Sequence, residues 1–302
     1  MFQLKKLIVA LFVVVFVLSL SVCARIVDSG ECGDNLTWTL DDAGTLTING
    51  TGDMEDYEFY SLDIPWYDFQ SMIKKVVIED GVTSIGDSAF SDCDSLTSIE
   101  IPDSVTGIGD SAFCWCENLT SIEIPDSVTS IGNYAFCNCD SLTSIEIPDS
   151  VTSIGDSAFF GCSSLTSIEI PDSVKSIGDS AFDGCDSLTS IEIPDSVKSI
   201  GYRAFYCTSL ETVYYGGTEE EWNKIEKGLG WGNDSLLNAE IIFNYTPKTT
   251  PETVPAESSS DSGNTLTIVI AICVTVVVSL LIIGAVVVTV VLVNKKKKNK
   301  QQ

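Results

Sequence analysis

The first residues to weigh for chemistry in this 302-residue chain are its 43 carboxylates and 11 cysteines, because histidine is absent. Without an imidazole there is no Ser-His-Asp relay and no His-ligated metal. Catalysis by two carboxylates needs one acid and one base held in unlike environments of a cleft. Here the carboxylates recur evenly instead. Glu100, Glu123, Glu146, Glu169 and Glu192 stand 23 residues apart, and so do Asp103, Asp126, Asp149, Asp172 and Asp195. No catalytic residue, cofactor site or metal site is expected. The glutamate row suits a basic protein surface, or weakly a divalent cation, unless it is only a solvated face. An Asp after Pro ordinarily serves its own turn.

The cysteines divide in a similar way. Cys93, Cys116, Cys139, Cys162, Cys185 and Cys207 form a column at an apolar position, where a free thiol packs as a small hydrophobe. Cys114 and Cys137 stand one repeat apart at a variable position and could form a disulfide between neighbouring coils in an oxidising compartment. A zinc site built from the two Cys-x-Cys pairs is disfavoured, since one sulfur of each belongs to the core column. The variable positions also carry Trp115 and Phe160, expected to be exposed and able to anchor a partner. Tolerated drift of a loop is the alternative there.

These residues are carried by a repeat. Units close to Ile-Pro-Asp-Ser-Val-x-Ser-Ile-Gly-Asp-Ser-Ala-Phe-x-x-Cys-x-Ser-Leu-Thr-Ser-Ile-Glu begin at Ile78, Ile101, Ile124, Ile147, Ile170 and Ile193. A fixed period in the twenties with Leu-x-x-Ile-x-Ile predicts a leucine-rich-repeat solenoid. Leu96, Ile99 and Ile101 alternate with polar neighbours, as in a strand with one face buried. Pro102 ends that strand, Val105 and Ile108 return to the core, and Gly109 makes a tight turn. Asp110 or Ser111 is expected to cap one helical turn bearing Ala112 and Phe113. The expected fold is a mostly β, α/β solenoid: a right-handed coil with a single parallel sheet, a β-rich N-terminal cap and one C-terminal transmembrane helix.

The same residues carry a family resemblance. The unit resembles the leucine-rich repeat of BspA-like surface proteins, through Leu-x-x-Ile-x-Ile-Pro, Val-x-x-Ile-Gly, Ala-Phe and Cys. The flanks agree: Gly30-Glu31-Cys32-Gly33, Leu36-Thr37-Trp38 and Gly44-Thr45-Leu46-Thr47-Ile48 before the repeats, Tyr214-Tyr215-Gly216-Gly217-Thr218 and Glu221-Trp222 after them. The resemblance implies a repeat surface used in adhesion to host proteins and cells, without naming a binding residue.

The ends predict where the protein works. Residues 1–24, with Lys5, Lys6 and the apolar run Leu7 to Leu20, read as a signal peptide. The cap is placed at 25–72, the solenoid at 73–214 and a C-terminal cap at 215–245. There Thr218-Glu219-Glu220-Glu221 reads as a capping box opening a short helix. Residues 246–265 form a Pro/Ser/Thr stalk. Residues 266–293 carry no charge and are long enough to cross a bilayer, followed by a Lys-rich cytosolic tail, 294–302. The positive-inside rule makes this a type I plasma-membrane protein with its repeats outside. Lys298 and Lys300 offer the alternative of a dilysine signal retaining it in the endoplasmic reticulum. Ala271, Thr275 and Ser279 hint at weak homo-association through the span.

All 43 acidic residues and only nine of the 16 basic ones lie between signal and span, an excess of 34 negative charges. That argues against nucleic acid as a partner and favours extracellular or host-surface proteins with basic patches. Asn35, Asn49, Asn118, Asn233 and Asn244 each stand in Asn-x-Ser/Thr and would accept N-linked glycans at solvent-facing positions. The function expected is a cell-surface adhesin or protein-interaction protein. The alternatives are a structural or antigenic coat protein and a ligand-sensing receptor that needs a membrane partner.

Overall fold

The structure, a computed structural model, describes residues 24–206, 209–228 and 232–246. It opens with an antiparallel meander, Ile26–Gly33 against Leu36–Asp41 against Thr45–Gly50. The alternation Leu36, Trp38, Leu40 buries one face of that meander. Thr45–Gly50 then pairs in parallel with Lys75–Ile78, which pairs with Ser98–Glu100. The first ladder of the repeats is therefore templated on the last strand of the meander.

Beyond the next coil the ladder resumes as Ser144–Glu146, Ser167–Glu169, Ser190–Ile193, Thr212–Tyr215 and Glu240–Ile242, again in parallel. Equivalent residues face one another, Ile145 against Ile168 and Glu146 against Glu169. The coil between them, 121–124, has the same Ser-Ile-Glu-Ile sequence, and Ile122 and Ile124 are buried in register. It forms no strand, and nothing in its sequence explains why.

A second extended segment stacks on another side of the coil. Gly52–Asp53, Val82–Ile85, Gly107–Ile108, Ser130–Ile131, Ser153–Ile154, Ser176–Ile177, Ser199–Ile200 and Glu226–Lys227 form an eight-stranded sheet, parallel throughout. The turn segment makes a third ladder: Ser88, Phe90 and Asp92 donate their N–H groups to the carbonyls of Asp110, Ala112 and Cys114 in the next coil. In a stacked coil, buried N–H and C=O groups must find partners, and the equivalent segment one coil away supplies them.

The expected architecture is thus corrected in three respects. Among the described residues there are three hydrogen-bonded sheets rather than a single parallel one, and the first of them is part antiparallel. The segment with Ala112 and Phe113 is a turn, not a helix, and Ser88, Ser111, Ser157 and Ser180 there take left-handed φ of 54–56°. Finally, no helix among the described residues is long and apolar enough to cross a membrane. The expected span, 266–293, lies outside the described residues, as do all but the last residue of the signal, most of the stalk, and the tail.

The core is a set of columns. Phe90, Phe113, Phe136, Phe159, Phe182 and Phe205 are fully buried and stack with centroids 5.3–5.5 Å apart, interplanar angles falling to 4°. Trp66 ends this stack on Phe90, its indole N–H donating to the Ala89 carbonyl at 2.9 Å. Stacked rings contribute beyond their buried area, about 0.5–1.5 kcal/mol per pair. The cysteine column lies beside them. Cys116, Cys139, Cys162 and Cys185 each donate S–H to the carbonyl of the Phe 26 residues earlier, at 3.1–3.2 Å. The repeat glycine is steric: a Cβ on Gly109 would stand 2.5 Å from the Asp87 carboxylate and 2.7 Å from its backbone nitrogen.

Candidate acidic groove and loop face

The Ser-Ile-Glu segment buries its isoleucine and turns its serine and glutamate outward, because side chains alternate across an extended chain. Stacking then aligns the glutamates. Glu146, Glu169 and Glu192 are direct ladder neighbours. Glu100 and Glu123 line the same surface before them, around a cleft of 790 Å³ bounded by Ile99, Ser121, Ile124, Pro125, Asp126 and Glu146. A second cleft, of 480 Å³, continues from Ser144 and Glu146 past Glu169 and Glu192 to Tyr214. The two share Ser144, Ile145 and Glu146, so the face is a groove with an acidic row along it.

The row is not uniform. Its first carboxylate, Glu100, is bound by Lys75 Nζ at 2.6 Å, from the strand one coil earlier. Its last, Glu192, accepts the Tyr245 hydroxyl at 3.0 Å, and Tyr245 packs against Tyr214. Among the described residues, no ion pair or side-chain hydrogen bond reaches Glu123, Glu146 or Glu169, and all three are exposed. Ladder neighbours lie ~4.8 Å apart, where two such charges repel by about 1 kcal/mol even in water. A cationic partner would relieve that repulsion. Lys175 and Lys198 do not do so: they turn back onto the carbonyls of Asp172 and Asp195.

The second acidic column expected to matter little was Asp103 and its equivalents. A different column does structural work that the repeat alone did not reveal. Asp56, Asp87, Asp110, Asn133, Asp156 and Asp179 each use Oδ1 to accept the N–H of the equivalent residue one coil on, at 2.6–3.0 Å. These side chains cap the neighbouring coil rather than their own turn. The clue was available in the sequence: Asn replaces Asp at 133, and only an acceptor oxygen is common to both.

The loop face carries the other candidates. Trp115 and Phe160 are exposed, as expected, and Trp115 holds a left-handed φ of 65° where later coils have Gly161 and Gly184. Exposed Tyr134 and Tyr202 in the neighbouring turn positions, and Phe59, Tyr60 and Leu62 ahead of the repeats, add aromatic and apolar surface that the sequence reading missed. Cys114 and Cys137 are both free thiols buried beneath this face. Of the glycan acceptors, Asn35, Asn49, Asn118 and Asn244 are exposed. Asn233 is buried, donates to the Gly201 carbonyl and accepts from the Phe205 N–H, so it closes the last coil and is not open to a glycan.

Among the described residues, no group of three or more Cys, Asp or Glu is placed to hold a metal ion. The Thr218 capping box is formed in full: Glu221 N–H donates to the Thr218 hydroxyl and Thr218 N–H to the Glu221 carboxylate. The Thr218 N–H and the Thr218 hydroxyl, both donating to the Glu221 carboxylate, hold it below its usual range. The helix Glu219–Trp222 buries Trp222, and Ile225 follows it into the core.

Solved structures similar to this chain are bacterial leucine-rich-repeat proteins. One from Eubacterium ventriosum is 28% identical, with a TM-score of 0.42, over 62% of this chain and 72% of that one. A leucine-rich cell surface protein from Faecalibacterium prausnitzii is 34% identical, with a TM-score of 0.47, over 62% of this chain and 55% of that one. A leucine-rich-repeat protein of T. pallidum is 26% identical, with a TM-score of 0.47, over 60% and 91%. No curated protein matches. The family described as the BspA type leucine-rich repeat region matches in six copies, over residues 63–152 and 129–229. With those copies covering more than half of the chain, this protein belongs to the BspA-type leucine-rich-repeat family.

Proposed function

We propose that this protein is a surface adhesin, holding proteins of a host or neighbouring cell along the acidic groove without chemistry. The leucine-rich-repeat fold is consistent with a role in protein interaction. The observation that carries the reading is the run Glu123, Glu146 and Glu169: exposed, aligned, and without an ion-pair partner among the described residues. A partner presenting Lys or Arg gains from relieving their repulsion and is steered by the excess negative charge of the whole repeat body. Trp115 and Phe160 supply apolar anchors on the loop face, a separate surface. Plasma-membrane display, repeats outward, is part of this proposal; immunolabelling of intact and permeabilised cells separates it from retention in the endoplasmic reticulum.

The test is binding of the purified full-length chain to proteins extracted from the surface of candidate host cells. Saturable binding to a small set of them is expected, competed by a soluble polylysine. Binding that neither saturates nor discriminates among proteins would overturn the adhesin reading in favour of a coat protein displayed in bulk.

A further inference from the structure

Cys114 and Cys137 occupy the same loop position one coil apart. Equivalent positions of adjacent coils lie roughly 4.8 Å apart in a ladder, and the stacked rings of Phe113 and Phe136 beside them have centroids 5.4 Å apart. That ladder spacing falls inside the Cα separation of about 4.4–6.8 Å that a disulfide spans. The backbones are held in this register by Trp115 N–H, which donates to the Cys137 carbonyl at 2.7 Å. The Asn138 amide donates a hydrogen bond to the Cys137 sulfur at 3.1 Å.

The core column has the same spacing but a different chemistry. Cys116, Cys139, Cys162 and Cys185 spend their S–H on Phe carbonyls and are wholly shut off from solvent. Burial pushes those thiols far up. Cys137 keeps 6% of its surface exposed. Cys114 is the more enclosed of the two at 2%, and the hydrogen bond from the Asn138 amide favours the thiolate at Cys137, with Asp140 nearby. The other titratable groups around the pair are Asp92, Cys139 and Tyr60, and none is basic.

We propose that Cys114 and Cys137 form a thiol–disulfide exchange site, with Cys137 attacking, Cys114 resolving, and neutral or cationic low-molecular-weight disulfides as its substrates. The Cys137 thiolate attacks one sulfur of the incoming disulfide, forming a mixed disulfide and expelling one thiolate. Cys114 gives its proton to water and attacks the Cys137 sulfur, expelling the second thiolate. The protein dithiol is oxidised by two electrons and the small disulfide is reduced to two thiols. The product is a covalent staple between two coils. The acidic surroundings select against anionic disulfides by charge repulsion.

The experiment exposes the reduced full-length chain to cystamine, a cationic disulfide, then alkylates it under denaturing conditions and maps peptides by mass. The expected result is a Cys114–Cys137 crosslink, with Cys116, Cys139, Cys162 and Cys185 all recovered alkylated. Oxidation by cystamine should run at least tenfold faster than by dianionic 5,5′-dithiobis(2-nitrobenzoate), each rate divided by that of the reagent with free cysteine. In Cys114→Ser the reaction should stop at a mixed disulfide on Cys137. The proposal is overturned if wild-type Cys137 reacts no faster than the core cysteines, if Cys114 rather than Cys137 carries the mixed disulfide, or if the anionic reagent is favoured.

Discussion

At the residue scale, the aspartate ladder decides more than its exposed position suggests. Asp156 Oδ1 accepts the Asp179 N–H at 2.8 Å and thereby satisfies a donor that no strand pairing reaches. Asp156→Ala should therefore cost about 1–2 kcal/mol, the range for losing a side-chain acceptor from a backbone cap. Asp156→Asn should be close to neutral, since Asn133 makes the same bond to Asp156 N–H in the preceding coil. Urea denaturation of the three proteins checks this; equal losses in Ala and Asn would show that charge, not acceptance, matters there. The ladder was only half legible in the sequence. Periodicity marks Asp110 as constrained, but its partner is an N–H one coil away, and local pattern favours the nearer reading of a cap on its own turn. The pairing of Lys75 with Glu100 was hidden for a similar reason, because the two lie 25 residues apart and Lys75 precedes the regular repeat.

At the scale of elements, each coil is too thin to stand alone, and its stability is a sum of neighbour contacts. Phe136 sits mid-stack, fully buried between Phe113 and Phe159. Phe136→Ala should cost roughly 3–5 kcal/mol through lost burial and the cavity left behind. The measurement is the denaturation midpoint at constant slope, and an unchanged midpoint would contradict the stacked core. At the C-terminal end, Thr218→Ala removes one half of the capping box and should cost about 1 kcal/mol, read in the same way. The columns Leu, Ile, Ile, Val, Ile, Ala, Phe and Cys were legible because a period of 23 brings each onto itself. The eight-stranded sheet was not. Its strands are two residues long through most of the repeats, too short to show alternation, and they exist because neighbouring coils complete their hydrogen bonds.

At the scale of the whole molecule, the repeat body carries an acidic row whose ends are closed and whose middle is open. Lys75 neutralises Glu100 and Tyr245 engages Glu192, which leaves Glu123, Glu146 and Glu169 as the segment with charge to offer. The row itself was legible from the spacing of Glu-Ile-Pro; its open centre needed both flanking contacts. If this segment is the binding face, attraction acts at long range and is screened by salt, with a screening length of about 8 Å at physiological ionic strength. The decisive measurement is the affinity of the full-length chain for a captured host-surface protein as ionic strength rises, beside Glu123→Gln, Glu146→Gln and Glu169→Gln combined. The account predicts at least tenfold weaker binding for the triple variant at low salt, a flatter salt dependence, and a slightly raised stability from relieved repulsion. Identical affinity and an identical salt slope would contradict it and move the site off the groove.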